Sequence, residues 1–224
     1  VTVPVPVVNK EACTGCKLCV DFFEYNALEM VATDVLVFEN LCHGCGGCAR
    51  FCPEKAISER DRQIGIVETG TLDSLYFCHG RLDIGEVLAP PLIQAVQGKI
   101  PSEYTTIVDS PPGTTCSMVQ AVTAADYCIL VAENTPFGYH DAKLAIEAVS
   151  NLQVPLGVIV NRSDIGASEL DNYLEKNEIP VLMRIPFSEK IAAAYSKGVP
   201  FVRELPEYRK ELTAVFEHIR ETVE

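Results

Sequence analysis

A chain of 224 residues, 48% of them hydrophobic, is long enough for one medium domain plus a small module and can bury a core. Its formal net charge of −13 excludes the basic stripe that nucleic-acid phosphates require. No apolar run approaches the roughly 20 residues of a membrane-spanning helix, and the Val/Pro alternation from Val1 to Val8 has neither the charged start nor the cleavage site of a signal peptide.

Cysteines come first along the chain. Seven of the ten lie between Cys13 and Cys52, in two runs with two or three residues between neighbouring cysteines. Thiols this close, followed by a long cysteine-poor remainder, read as metal ligands in a reducing cytoplasm rather than as a disulfide framework. The region repeats itself at an offset of 29 residues: Val8 falls on Val37, Cys13 on Cys42, Gly15 on Gly44, Cys16 on Cys45, Cys19 on Cys48, Ala27 on Ala56 and Leu28 on Ile57. Each copy, residues 7–30 and 36–59, is a short apolar strand, a cysteine-rich loop and a short helix leading to an apolar residue. Two such copies predict the pseudo-twofold ferredoxin arrangement.

The second copy reads Cys42-His-Gly-Cys45-Gly-Gly-Cys48-Ala-Arg-Phe-Cys52-Pro53, the complete C-x2-C-x2-C-x3-C-P run of bacterial ferredoxins. Three thiolates on one tight loop reach three irons of a cubane. Gly44, Gly46 and Gly47 keep that loop small enough for backbone N–H groups to approach sulfur. The fourth cysteine of such a run crosses to the other cluster. Cluster one therefore takes Cys13, Cys16, Cys19 and Cys52 and is complete. Cluster two takes Cys42, Cys45 and Cys48 and lacks a thiolate, because Phe23 stands opposite Cys52 and Glu24 opposite Pro53. The second site is open to three outcomes: a 3Fe-4S cluster, a 4Fe-4S cluster with an outside ligand, or no cluster. Asp21 and Glu24 are the carboxylates nearby in sequence, and Phe23→Cys is the change that would give the second site its thiolate. Zinc is the rival metal, but its sites take two close cysteine pairs rather than triplets.

From Ile64 the texture changes. Residues 64–69 and 74–80 read as two strands and 84–97 as a helix interrupted by Pro90 and Pro91. Alternation follows: strand 105–109, helix 116–124, strand 127–133, helix 140–152, strand 156–161, helix 169–177, strand 181–185, helix 189–196 and a C-terminal helix 207–223. Apolar strands alternating with helices predict an α/β domain with a mostly parallel sheet covered by helices on both faces. Two domains are expected, a ferredoxin-like α+β module over 1–60 and the α/β domain over 61–224. Ligands of such sheets gather at the carboxyl ends of the strands. Here those ends carry Asp109-Ser-Pro-Pro-Gly113, Glu133-Asn-Thr-Pro136, Asn161-Arg162-Ser-Asp164 and Ile185-Pro-Phe187. Each is an ordinary cap or turn taken singly; four at one edge suggest a nucleotide site. Cys78 and Cys128 fall in expected strands as core thiols, and Cys116 near a helix start. His43, inside a cluster loop, reads as tuning the cluster by hydrogen bonding.

The D-x-P-P-G loop at 109–113, the Ile159-Val-Asn161-Arg162 strand end and the Ile185-Pro-Phe187 turn resemble the MinD/Mrp group of P-loop ATPases, and residues 9–60 resemble a two-cluster ferredoxin insert. The combination is similar to MinD-type ATPases with an inserted 4Fe-4S ferredoxin domain. The resemblance implies ATP and Mg²⁺ as ligands, Asp109 as the catalytic, γ-phosphate-sensing residue, Gly113 in the phosphate loop, Asn161 and Arg162 against adenine, and a homodimer. The family's G-x4-G-K-[ST] is not found in these residues: the only Gly-Lys, Gly98-Lys99, runs on into Ile100-Pro101. The chain is therefore expected to lack an amino-terminal P-loop segment. Three functions follow: nucleotide binding coupled to electron transfer or cluster handling; a plain ferredoxin-type electron carrier; or a cluster carrier. Their partners are a redox protein or an iron–sulfur acceptor.

Overall fold

The structure, a computed structural model, describes residues 1–22, 25–166 and 168–224. The chain forms two compact units, Val1–Ile107 and Val108–Glu224. In the first, β1 (Thr2–Val8) is followed by α1 (Leu18–Asp21), β2 (Leu28–Val31), β3 (Asp34–Val37), a 3₁₀ turn at Glu39–Leu41, α2 (Gly47–Phe51) and β4 (Ile57–Gln63). The sequence repeat reappears in three dimensions. Helices α1 and α2 begin 29 residues apart, as do β2 and β4, while β1 and β3 end 29 apart. The pairing crosses between copies: β1 runs antiparallel to β4 with Val8 opposite Ile57, and β2 antiparallel to β3 with Leu28 opposite Val37. Each register is the other's image under the offset, which is the predicted twofold. The core beneath joins Leu28, Val35 and Ile57 to the buried Cys19 and Cys48.

Strand β4 continues into β5 (Gly65–Leu72) and β6 (Leu75–Leu82), an antiparallel hairpin, and then α3 (Pro90–Gln97). The helix starts at its two prolines, where a fixed φ and a missing N–H cost nothing. It lies close on the hairpin at Gly80, where a Cβ would come 2.7 Å from Leu92 Cγ. The segment 61–107, assigned from sequence to the second domain, packs into the first unit. Ile64 and Leu92 share a buried cluster with Val3 of β1, and apolar burial holds them there.

A buried ion pair fixes the same region. Arg62 Nη1 donates to Glu86 Oε2, with the two side chains 13% and 5% exposed. Burial pushes the Glu86 carboxyl up, but the Arg62 hydrogen bond and charge and the Leu88 and Val87 N–H groups hold it below its ordinary value. Arg62 Nε and Nη2 find no other partner among the described residues. Glu86→Gln leaves that guanidinium buried without a counter-charge and is expected to cost about 3 kcal/mol. The lowered folded pKa means the stabilisation is full above the unfolded value of about 4.3 and is lost as pH falls through the folded value. In urea titrations the wild type's advantage over Glu86→Gln should therefore be constant near neutrality and shrink below about pH 4; an advantage that grows on acidification would contradict this.

The second unit contains α4 (Cys116–Thr123), β7 (Cys128–Glu133), α5 (Pro136–Asn151), β8 (Leu156–Asn161), α6 (Glu169–Lys176), β9 (Val181–Ile185), α7 (Glu189–Ser196), α8 (Phe201–Glu204) and α9 (Glu207–Val223). Strands β7, β8 and β9 form a parallel sheet in that order. Successive β8 residues point to opposite faces. Val158 and Val160 meet Ala142 and Ile146 of α5 and Leu170 and Leu174 of α6, whereas Ile159 joins Met183, Tyr208 and Val215 on the other face. Helices thus cover both faces, as expected of an α/β fold. Thr135 caps α5 by accepting from Gly138 N at 3.0 Å, with Pro136 at the first helical position. The strand expected over 105–109 is not formed. Those residues have no regular structure, and Ile107 is 94% exposed. An apolar run becomes a strand only when a neighbour satisfies its backbone groups, and among the described residues β7 pairs with β8 alone.

Candidate metal centre

The cysteine loops owe their shape to left-handed residues at matching places. Gly15 and Gly44 have φ of 69° and 67°, and Lys17 and Gly46 have φ of 63° and 72°. These turns bring three thiols round each loop before the short helix starts. Exposure repeats too: Cys13 and Cys42 are half-buried, Cys16 and Cys45 exposed, Cys19 and Cys48 buried.

Two cavities follow. One is lined by Cys13, Cys16, Cys19 and Cys52, the last contributed by the second copy. The other is lined by Cys42, Cys45 and Cys48. Backbone donors already address the sulfurs: Gly44 N donates to Cys42 Sγ at 3.4 Å and Ala56 N to Cys52 Sγ at 3.3 Å. Burial pushes the Cys19 thiol up, opposed by a backbone hydrogen bond and reinforced by Cys13, Cys16 and Cys52. Burial likewise pushes Cys48 up to about 11; the Ala49 N–H opposes it, while Cys42, Cys45 and then Glu59 add to it. Thiols so buried are poor nucleophiles. Among the described residues no three His, Cys, Asp or Glu side chains converge on one ion-sized point.

The carboxylates suggested for the second site fare differently. Asp21 is exposed at the end of α1 and does not line the three-cysteine cavity. Phe23 and Glu24 lie outside the described residues. His43 stacks on Tyr25, ring centroids 4.2 Å apart and planes at 22°, against the three-cysteine cavity.

In the second unit the strand ends Glu133, Asn161 and Ile185 stand side by side in register at the carboxyl edge of the sheet. Arg162, in a left-handed conformation with φ of 49°, turns back so that its Nε lies 3.5 Å from Glu133 Oε1. Asp164 Oδ1 accepts from Phe187 N at 2.5 Å, tying the last two strand ends together. Asp109 and Gly113 stand in irregular chain before α4 rather than on a strand end. Cys128 lies in β7 beside the Met118 cluster, with burial raising its pKa, and Cys116 is exposed at the start of α4. No helix among the described residues is long and apolar enough to cross a membrane.

The 4Fe-4S binding domain family matches residues 35–58, the stretch that holds Cys42, Cys45, Cys48 and Cys52. The chain thus carries an iron–sulfur-binding, ferredoxin-like domain. Among whole-chain relatives it is similar to the uncharacterized protein MJ0579 of Methanocaldococcus jannaschii, 30% identical over 190 residues, which are 83% of this chain and 66% of that protein. A second protein of that organism, MJ0578, is 24% identical over 208 residues, 89% of this chain and 72% of the relative. A shorter likeness is to the indolepyruvate oxidoreductase subunit IorA of Pyrococcus horikoshii, 42% identical over 52 residues, 22% of this chain and 8% of the subunit.

Proposed function

We propose that residues 1–60 work as a two-cluster electron-transfer module, with a 4Fe-4S cluster on Cys13, Cys16, Cys19 and Cys52 and a second cluster on Cys42, Cys45 and Cys48. The observation that carries this is that Cys52, from the second copy, lines the cavity of the first triad. When bound, such clusters take up and release single electrons at potentials set by burial and by hydrogen bonds to sulfur. The Gly44 and Ala56 N–H groups stabilise negative charge on Cys42 and Cys52 and so favour the reduced state. Cys19 and Cys48 hold the inner corners away from water, while Cys16 and Cys45 reach the surface, where a cytoplasmic redox partner exchanges the electron. Anaerobically prepared protein should contain iron and acid-labile sulfide, bleach on reduction with dithionite and pass the electron to an oxidised acceptor. Zinc in place of iron with no labile sulfide would end this reading.

The aligned strand ends Glu133, Asn161 and Ile185 favour a second reading, in which a nucleotide at this edge modulates electron transfer or cluster delivery. Asn161 and Arg162 would contact the base, and Asp109 a metal-bound phosphate. These 224 residues contain no lysine-bearing phosphate cradle, and phosphate contacts supply much of a nucleotide's affinity. Calorimetric titration with Mg-ATP should therefore give a Kd in the millimolar range or weaker, about −4 kcal/mol. Tight, Mg²⁺-dependent binding would place the phosphate site elsewhere in the chain.

A further inference from the structure

The two cluster cavities are related by the 29-residue offset, so their linings can be compared position by position. Leu28 in one answers Ile57 in the other, Pro6 answers Val35, His43 answers Thr14, and the cysteine triads coincide. Two exchanges involve a carboxylate. The complete site has Glu54 where the three-cysteine site has Tyr25. Where the complete site has Met30, the three-cysteine site has Glu59. The registers make this exact: Met30 pairs with Val35 across β2 and β3, and Pro6 with Glu59 across β1 and β4. Glu59, on β4, is thus the carboxylate that lines the cavity short of one thiolate.

Resting on the two-cluster reading above, we propose that Glu59 is the fourth protein ligand of the second cluster, binding through its carboxylate the iron that no thiolate reaches. Its side chain folds back over the cysteine loop: Oε1 lies 3.5 Å from the place a Cβ would occupy on Gly46, and the carboxylate is within electrostatic reach of Cys48. Gly46 keeps that approach open. Glu59 is engaged in no ion pair among the described residues, whereas its strand neighbours Arg60 and Arg62 pair with Glu39 and Glu86. Two other described side chains on this cavity carry donor atoms besides the cysteines, Tyr25 and His43, and their rings are stacked on each other. An ionised carboxylate is a good oxygen ligand for iron and holds a corner that otherwise stays open to water or loses its metal. In the complete site the place of Glu59 is held by the uncharged Met30, and Cys52 lines that cavity from a different place in the repeat.

The test uses the full chain, reconstituted anaerobically with ferrous iron and sulfide. Iron, labile sulfide, Mössbauer spectra and the EPR of the oxidised state are compared for wild type, Glu59→Gln and Glu59→Met. Gln keeps the shape and removes the charge; Met copies the other site. The expected result is a wild type with two four-iron clusters and variants that each lose about one iron per chain and gain a three-iron EPR signal. The first cluster and the circular dichroism should be unchanged. A variant that keeps the wild-type iron content and spectra overturns the Glu59 assignment alone, as does a wild type that already shows the three-iron signal. A wild type with iron for the first cluster only overturns both the assignment and the two-cluster reading.

Discussion

Replacing Cys52 with alanine is expected to strip the first cluster from anaerobically prepared protein and to leave the cluster on Cys42, Cys45 and Cys48 in place. Iron and labile sulfide per chain should fall by about half. Proximity in sequence argues the opposite, since Cys52 follows Cys48 directly in the motif. The crossed outcome is expected because Cys52 lines the cavity of Cys13, Cys16 and Cys19. The four-cysteine cavity would lose a ligand, and the three-cysteine cavity would lose nothing. EPR of the reduced protein reports which cluster remains. Loss of the second cluster with retention of the first would show that ligation is local rather than crossed.

Leu170→Ala is expected to destabilise the second unit by about 3 kcal/mol, within a range of about 2–5 for such deletions. Leu170 is 0% exposed and packs with Ala132, Ala142, Ile146, Val158, Val160 and Leu174 between the sheet and its helices. Truncation removes three heavy-atom groups from that interior and leaves a cavity that α6 and β8 cannot fully close. Leu144→Ala on α5, where the leucine is 43% exposed, serves as the control and should cost well under 1 kcal/mol. Urea unfolding followed by far-ultraviolet circular dichroism measures both. Cluster absorbance should be unaltered in the native state, because the cysteines belong to a different core. Equal costs for the two substitutions would mean that the interior is not centred on Leu170.

The parts of this architecture that were legible in the sequence are those whose physics is local. The 29-residue repeat gave the crossed twofold, because identical loops need identical left-handed turns at Gly15 and Gly44. Strands β8 and β9 and helices α7 and α9 matched their expected bounds, each having clear periodicity and a defined stop. The polar run Ile57–Gln63 hid a strand, since β4 is held by its ladder with β1 rather than by an apolar alternation. Residues 105–109 erred in the opposite direction: they have strand composition but no pairing neighbour. The hairpin Gly65–Leu82 was recognised as strands, but its long-range packing through Ile64 and Leu92 onto Val3 had no sequence signal. Glu59, the ligand proposed above, stands where the first copy has Met30. A repeat shows itself through its identities, so a position at which the copies differ carries no signal of its own.

The crossing of Cys52 into the other copy's cavity also has a consequence for the unfolded chain. A cluster held as proposed would bond Cys19 and Cys52 to one rigid body and so close a loop of about 30 residues that contains β2, β3 and α2. Such a closure acts as a disulfide does, by depriving the denatured ensemble of conformations, and on the chain-entropy reckoning is worth about 3–4 kcal/mol. The three cysteines of the second site span only Cys42 to Cys48, and even with Glu59 bound the closed stretch reaches only into β4, so it restricts the denatured chain less. Without its first cluster the module loses its longest internal tether, and the two halves of the repeat are left to hold together by their strand ladders and the small core around Leu28, Val35 and Ile57.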